Sequence, residues 1–232
     1  MNKSSFDRTA PRLSATLLLV GQLSYVVVTL LHTGGEGNNH PAIFAAYAAS
    51  QIWTAVHVAQ FACMAIMLAG LFALFFALDL KLSSARWAAR FGAASTIVTL
   101  GLCGAVLAVD GVALKQAVNA LASASDAEKT ARFASAEVIR WLEWGTRSYE
   151  NFTLGLTVLL FAIGVARTMW IPRPIAYLMG LSGVAYLMQG WTAGAEGFSP
   201  NHTIAIVLAE ILNAAWMIWL LVAAWRMQER AS

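Results

Sequence analysis

Six apolar runs, each close to the length of a bilayer crossing, follow one another at 13–31, 51–79, 91–118, 136–166, 174–193 and 203–226. A crossing takes roughly 20 mostly apolar residues. Inside hydrocarbon every backbone N–H and C=O must be satisfied by the chain itself, so each run is expected as a helix. Composition agrees. Only 12% of the residues are charged and 59% are hydrophobic, whereas about a quarter charged is usual for a soluble domain. The expectation is an all-α polytopic membrane protein, a single domain over 1–232 built as a bundle of six transmembrane helices.

Basic residues in short flanks set the orientation of such a bundle. Lys3, Arg8 and Arg12 precede the first run, and Lys81, Arg86 and Arg90 follow the second. Arg167 and Arg173 separate the fourth from the fifth, and Arg226 and Arg230 follow the sixth. All ten share one side, expected to be cytoplasmic together with both termini, in a plasma (inner) membrane. The net charge of +3 arises mainly from this asymmetry. It gives no reason to expect nucleic acid as a partner; the lipid bilayer is the expected one. Cys63 and Cys103 fall inside runs and away from loops, where thiols act as small hydrophobes.

The fourth run is the odd one. EVIRWLEWGTRSYENFT (137–153) carries three glutamates and two arginines into it, and no charge follows from Phe152 to Ala166. Those fifteen residues make about 22 Å of helix, short of the ~30 Å hydrocarbon core, so part of the charged stretch must enter the membrane. At 100° per residue Arg140, Glu143, Arg147 and Glu150 fall within an arc of about 80°. Glu143–Arg147 and Arg147–Glu150 have the spacing of side-chain pairs. Charges at membrane depth normally face the bundle interior or water.

Other runs also carry a polar face toward the same, outward end. The first has Gln22, Tyr25, Thr29 and His32, and the second has Trp53, His57, Gln60 and Met64. Asp110 lies in AVDGVALKQAV, with Lys115 about 140° away around an α-helix and expected to snorkel to the interface. Gln189 and Trp191 end the fifth run; His202, Glu210 and Asn213 mark the sixth. Singly, each reads as interhelical glue. Together, polar faces at one depth imply a shared cavity open to the outside, with Gln22 below it.

Two loops look alike: TGGEGNNH (33–40) and TAGAEGFSPNH (192–202). Both pass from a Gly/Ala-rich approach through Glu-Gly to Asn-His at the next helix. They set Glu36, His40, Glu196 and His202 on the side of His32 and His57. Imidazole and carboxylate together suit Zn, Fe, Mn or Cu, so a divalent metal ion is the cofactor considered, although no HExxH or ExxH spacing occurs. Ser125-Asp126-Ala127-Glu128 reads as a capping box. There is no GxGxxG, P-loop, GxSxG or CxxC, and no pair of deep histidines facing across two spans.

The runs WTAVHVAQF (53–61), AVDGVALK (108–115) and RWLEWG (140–145) resemble those of small six-helix bacterial membrane proteins catalogued as domains of unknown function. The resemblance covers most of the chain and implies a bacterial plasma-membrane protein. It implies no activity.

The residues themselves point to an outward-facing polar pocket for a small molecule or metal, which as an enzyme would act on a lipophilic or periplasmic substrate. His57 and Asp110 are then the acid/base candidates. Arg147 would hold an anionic group, with Gln60, Glu143, Glu150, Gln189 and Glu210 as further pocket residues. His32, Glu36, His40, Glu196 and His202 are the metal candidates. A proton-coupled transporter using Glu150, Asp110 and Glu210 is the alternative, with the apolar inward half against it. A structural or assembly subunit, its charges paired with a partner's helices, is the third reading.

Overall fold

The computed structural model describes residues 8–78, 80 and 83–227; Lys3, Lys81, Arg230 and the end of the second run at Asp79 lie outside them. Among the described residues eight α-helices run in order: α1 (Thr9–Thr29), α2 (His40–Ala49), α3 (Trp53–Ala77), α4 (Ser83–Ala108), α5 (Lys115–Ala122), α6 (Lys129–Val165), α7 (Arg173–Glu196) and α8 (Pro200–Trp225). A π-helical turn, Val109–Leu114, joins α4 to α5. There is no strand among the described residues. Five of the described segments are long and apolar enough to cross a membrane: α1, α3, the continuous α4–α5, α6 and α8. The chain is a multi-pass membrane protein. Arg173–Glu196, expected as a further crossing, forms one helix between α6 and α8.

The bundle is inverted relative to a soluble one. Val27 (61% exposed) and Phe76 (72%) face outward, while Arg140 and Glu143 are 1% exposed. Lipid is as apolar as leucine, so helices in it gain little from hydrophobic burial and associate through close packing and polar contacts. Gly155 of α6 and Gly183 of α7 show this: a Cβ on Gly155 would stand 2.7 Å from the Gly183 carbonyl oxygen, and one on Gly183 3.0 Å from that of Gly155. Nearby, Ser148 donates to the Gly190 carbonyl at 2.7 Å. On the other flank of α6, Thr157 donates to Ser95 of α4 at 2.7 Å.

The two ends of the bundle differ. Leu18, Leu71, Val158, Phe161, Ile175, Trp216 and Leu220 belong to an apolar core in the half toward Arg12, Arg90, Arg167 and Arg226. The opposite end carries a smaller cluster of Ile43, Phe44, Tyr47, Trp53, Leu114, Val118 and Ala136. It exists because α6, at 37 residues, is about 55 Å long, well beyond a ~30 Å crossing. Its first turns stand beside α5 and α2.

Helix α2, which none of the six runs contains, follows the first loop. Asn39 caps it by accepting from the Ala42 N–H at 3.4 Å, and Pro41 sits in its first turn, where a missing N–H costs nothing. Lys115 corrects an expectation. Instead of snorkelling, its ammonium donates to the carbonyls of Tyr47, Ala48 and Ser50 at 2.7, 2.9 and 2.8 Å. A cation at the C-terminus of α2 meets orphan carbonyls and the negative end of the helix dipole. Ser125 closes on Glu128 at 2.9 Å as a capping box would, yet Glu128 is the cap residue and α6 begins at Lys129. Bonds from Ser125 hold the Glu128 carboxyl below its usual range.

Candidate functional site

A π-helical turn carries one more residue than an α-turn and so opens the backbone ladder locally. Here it presents Asp110, and α3 supplies the extra donors: the Trp53 indole N–H to the Asp110 carbonyl and the Thr54 hydroxyl to that of Gly111, both at 2.9 Å. Gly111 lets the two helices meet, since a Cβ there would stand 2.5 Å from the Cβ of His57. His57 Nε2 then lies 2.9 Å from Asp110 Oδ2. The pair proposed from sequence is brought together by the turn. Counting 100° per residue across it also misplaces Lys115.

The tautomer of His57 is fixed by geometry. Its Nδ1 stands 2.7 Å from the Trp53 carbonyl, which only accepts, so Nδ1 carries the proton and Nε2 turns to the carboxylate. His32 repeats the arrangement, with Nδ1 3.0 Å from the Thr33 carbonyl. The His32 ring packs against Trp53 and His57 at 4.6 and 5.1 Å between centroids.

Next to this group is a cavity of about 430 Å³, within the range of small-molecule sites. All six residues expected as pocket residues line it: Gln60, Glu143, Arg147, Glu150, Gln189 and Glu210. Asp110, His32 and His202 line it too, while His57 sits behind Asp110. Gln60 donates to Thr29 at 3.1 Å, Gln189 to the Ala205 carbonyl at 3.3 Å, and Gln22 to Glu210. Gln22 is therefore a wall of the cavity and not below it. Tyr25, Tyr47, Asn151 and Tyr186 are lining residues that the site prediction omits. Tyr186 was within reach of the spacing argument, three residues before Gln189 on the same helix face; Asn151 carried no such signal.

Of the two pairs expected on the α6 ladder, Arg147–Glu150 forms and Glu143–Arg147 does not. Arg140 bonds Glu143 at 2.6 Å and Arg147 bonds Glu150 at 3.1 Å, both at i,i+3. Glu143 takes Arg140 and not Arg147, because Arg140 is clamped from above. Its guanidinium lies 4.6 Å over the Phe198 ring, 5.5 Å from that of Tyr47, and donates to the Gly37 carbonyl at 3.0 Å.

The look-alike loops meet over the cavity. Asn38 donates to the Glu196 carbonyl at 2.8 Å and accepts from the Phe198 N–H at 2.9 Å. The five metal candidates from sequence are not brought together. Glu36 is exposed on its loop. His40 turns to Glu137 at 2.9 Å and stacks on Phe44. Glu196 closes its own turn by accepting from Ser199 at 2.7 Å and Asn201 at 3.0 Å, bonds that hold its carboxyl below the usual range. Only His32 and His202 reach the cavity. Loop similarity gave side and depth, but Glu196 spends its carboxylate on its own turn and His40 turns its ring to Glu137 of α6.

Residues 39–224 match the family described as Domain of unknown function (DUF4386). The chain belongs to that family. The match spans α2 to α8 and so takes in the π-turn, the α6 ladder and most of the cavity wall. Comparison with curated proteins and with solved structures finds no match. The family assignment accords with the resemblance read from the sequence, and carries no activity with it.

Proposed function

We propose that this DUF4386 protein is a plasma-membrane protein that binds a small amphiphilic molecule in its polar cavity, from the extracytoplasmic side of the bilayer. One observation carries the reading: side chains from α1, α3, the π-turn, α6, α7 and α8 converge on one cavity that is charged along α6 and apolar at its rim. Thr29 and Leu30 of α1 and Thr203 and Ile206 of α8 line the cavity while remaining exposed on the bundle surface. A mouth between these exposed residues would admit a molecule with an apolar body. The Arg147–Glu150 pair and the amide of Asn151, whose buried Nδ2 has no hydrogen-bond partner, would meet its polar head, since buried donors demand partners.

The closed floor supports binding over passage. Below the cavity a space of about 10 Å³ is lined by Leu18, Leu71, Val158, Trp216 and Met217, room for one water at most. A proton-coupled transporter would need that floor to part.

The test is mass spectrometry of small molecules released from the purified full chain. The parent is expected to carry an amphiphile near one per chain, and Ile206→Trp, which narrows the mouth, to lose it. An equal complement in both proteins, or none above the detergent blank, would remove the reading. Orientation is checked separately, from the Lys/Arg asymmetry. Cysteine placed by Asn38→Cys or Ser125→Cys should react with an impermeant thiol reagent on intact cells, whereas Met169→Cys at the basic end should stay unlabelled. Labelling of the last alone would turn the cavity toward the cytoplasm.

A further inference from the structure

The geometry points to a divalent transition-metal site formed by His32, His57 and Asp110 at the wall of the cavity. It rests on the pocket reading only for the identity of what reaches the metal; the site itself stands on its own geometry. One ligand atom from each of the three lies within 4.8 Å of the other two, close enough for a single ion to bridge them. Both imidazoles donate Nδ1 to backbone carbonyls, of Thr33 and Trp53. That bond fixes the tautomer with a lone pair on Nε2, and it is the support metal-binding histidines usually have.

A second, independent observation comes from unmet polar atoms. Asp110 is 3% exposed, yet its Oδ1 has no hydrogen-bond partner, and neither has His57 Nε2 despite its nearness to Oδ2. In the neutral Nδ1–H tautomer, His57 Nε2 and Asp110 Oδ2 are two buried acceptors 2.9 Å apart, which is costly, and a cation bound to both removes the cost. Charge agrees. The cavity wall holds four carboxylates, Asp110, Glu143, Glu150 and Glu210, against two guanidiniums that pair with Glu143 and Glu150. Asp110 and Glu210 are left without an arginine, and a divalent ion balances them.

Two imidazoles and one carboxylate suit zinc or ferrous iron. Three protein ligands leave coordination positions vacant, and because Asp110 and His32 face the cavity, those positions are directed at the occupant of the pocket. Trp53 and Tyr47 pack against the His32 ring, at 4.6 and 5.9 Å between ring centroids.

The experiment uses the full chain in detergent, stripped with a chelator and titrated with Zn²⁺ against a chromophoric competitor. One ion per chain is expected. His32→Ala, His57→Ala and Asp110→Asn should each weaken binding by more than the ~10–100-fold that loss of a supporting residue causes. His40→Ala, outside the group, should not change it. Where a variant fails to run as a monodisperse species, Co²⁺ absorption of the unmutated protein decides, since ligand-field bands of a nitrogen-and-oxygen site are expected at one equivalent. Absence of stoichiometric Zn²⁺ and Co²⁺ binding, or binding that survives His57→Ala and Asp110→Asn, overturns the site. Such a failure is distinct from failure of the pocket reading. An amphiphile retained by the parent and lost from Ile206→Trp leaves the pocket standing without the metal, and Zn²⁺ bound by both proteins with no amphiphile leaves the metal standing alone.

Discussion

Arg140→Ala should destabilise the detergent-solubilised protein by about 3–5 kcal/mol, the usual result of removing one member of a buried ion pair. Arg140 and Glu143 are each 1% exposed and 2.6 Å apart. Without the guanidinium, the buried Glu143 carboxylate loses its bonded partner, and the next arginine, Arg147, is already bonded to Glu150. The double change Arg140→Met with Glu143→Met removes both charges and keeps volume, so it should cost much less than the single one. Equilibrium unfolding of the three proteins decides: equal loss in single and double variants would mean that the pair does not act as a unit. A second consequence separates this arginine from an ordinary buried pair. Because it reaches Gly37 and stacks on Phe198, its loss should free the two docked loops, seen as faster proteolysis between Glu36 and Asn38 under conditions where the helices resist.

Arg147→Ala should destabilise on the same scale, about 3–5 kcal/mol, and for the same reason, since Glu150 is 1% exposed and bonded to it at 3.1 Å. The contrast lies in what the double variant restores. The Arg147 guanidinium lines the cavity and bonds Glu150, and among the described residues it has no loop carbonyl or ring partner like those of Arg140. Arg147→Met with Glu150→Met should therefore recover most of the stability while the bound amphiphile stays lost. Unfolding midpoints and mass spectrometry of the same preparations give both readouts. An amphiphile still present in the double variant would make this pair structural only, and would move the polar head of the ligand to Glu210 and Gln22.

The ladder illustrates how far spacing reaches. Arg140, Glu143, Arg147 and Glu150 were legible as one face spread over about 15 Å of the outward part of the helix, because helical periodicity and run length fix angle and height. Which carboxylate takes which arginine was not. The i,i+3 and i,i+4 partners of Glu143 are both within reach, and the choice falls to Phe198 and Gly37, which lie far along the chain and hold Arg140 in place. The metal candidates show the same limit. His57 and Asp110 were paired from depth alone, whereas His40 and Glu196 had the right depth and face away, toward Glu137 and toward Ser199.

By itself the sequence determined the class of the protein, the two unlike ends of the bundle, and six of the polar residues that line the cavity. These depend on hydropathy, charge placement and periodicity, all of which are local and additive along the chain. Tertiary structure alone decided the rest: the π-turn that aims Asp110 at His57, α2 with its carbonyls held by Lys115, and the docking of the two loops through Asn38. Each of these is a backbone group satisfied by a side chain from a distant segment. Periodicity places a residue on its own helix; only packing decides what lies opposite.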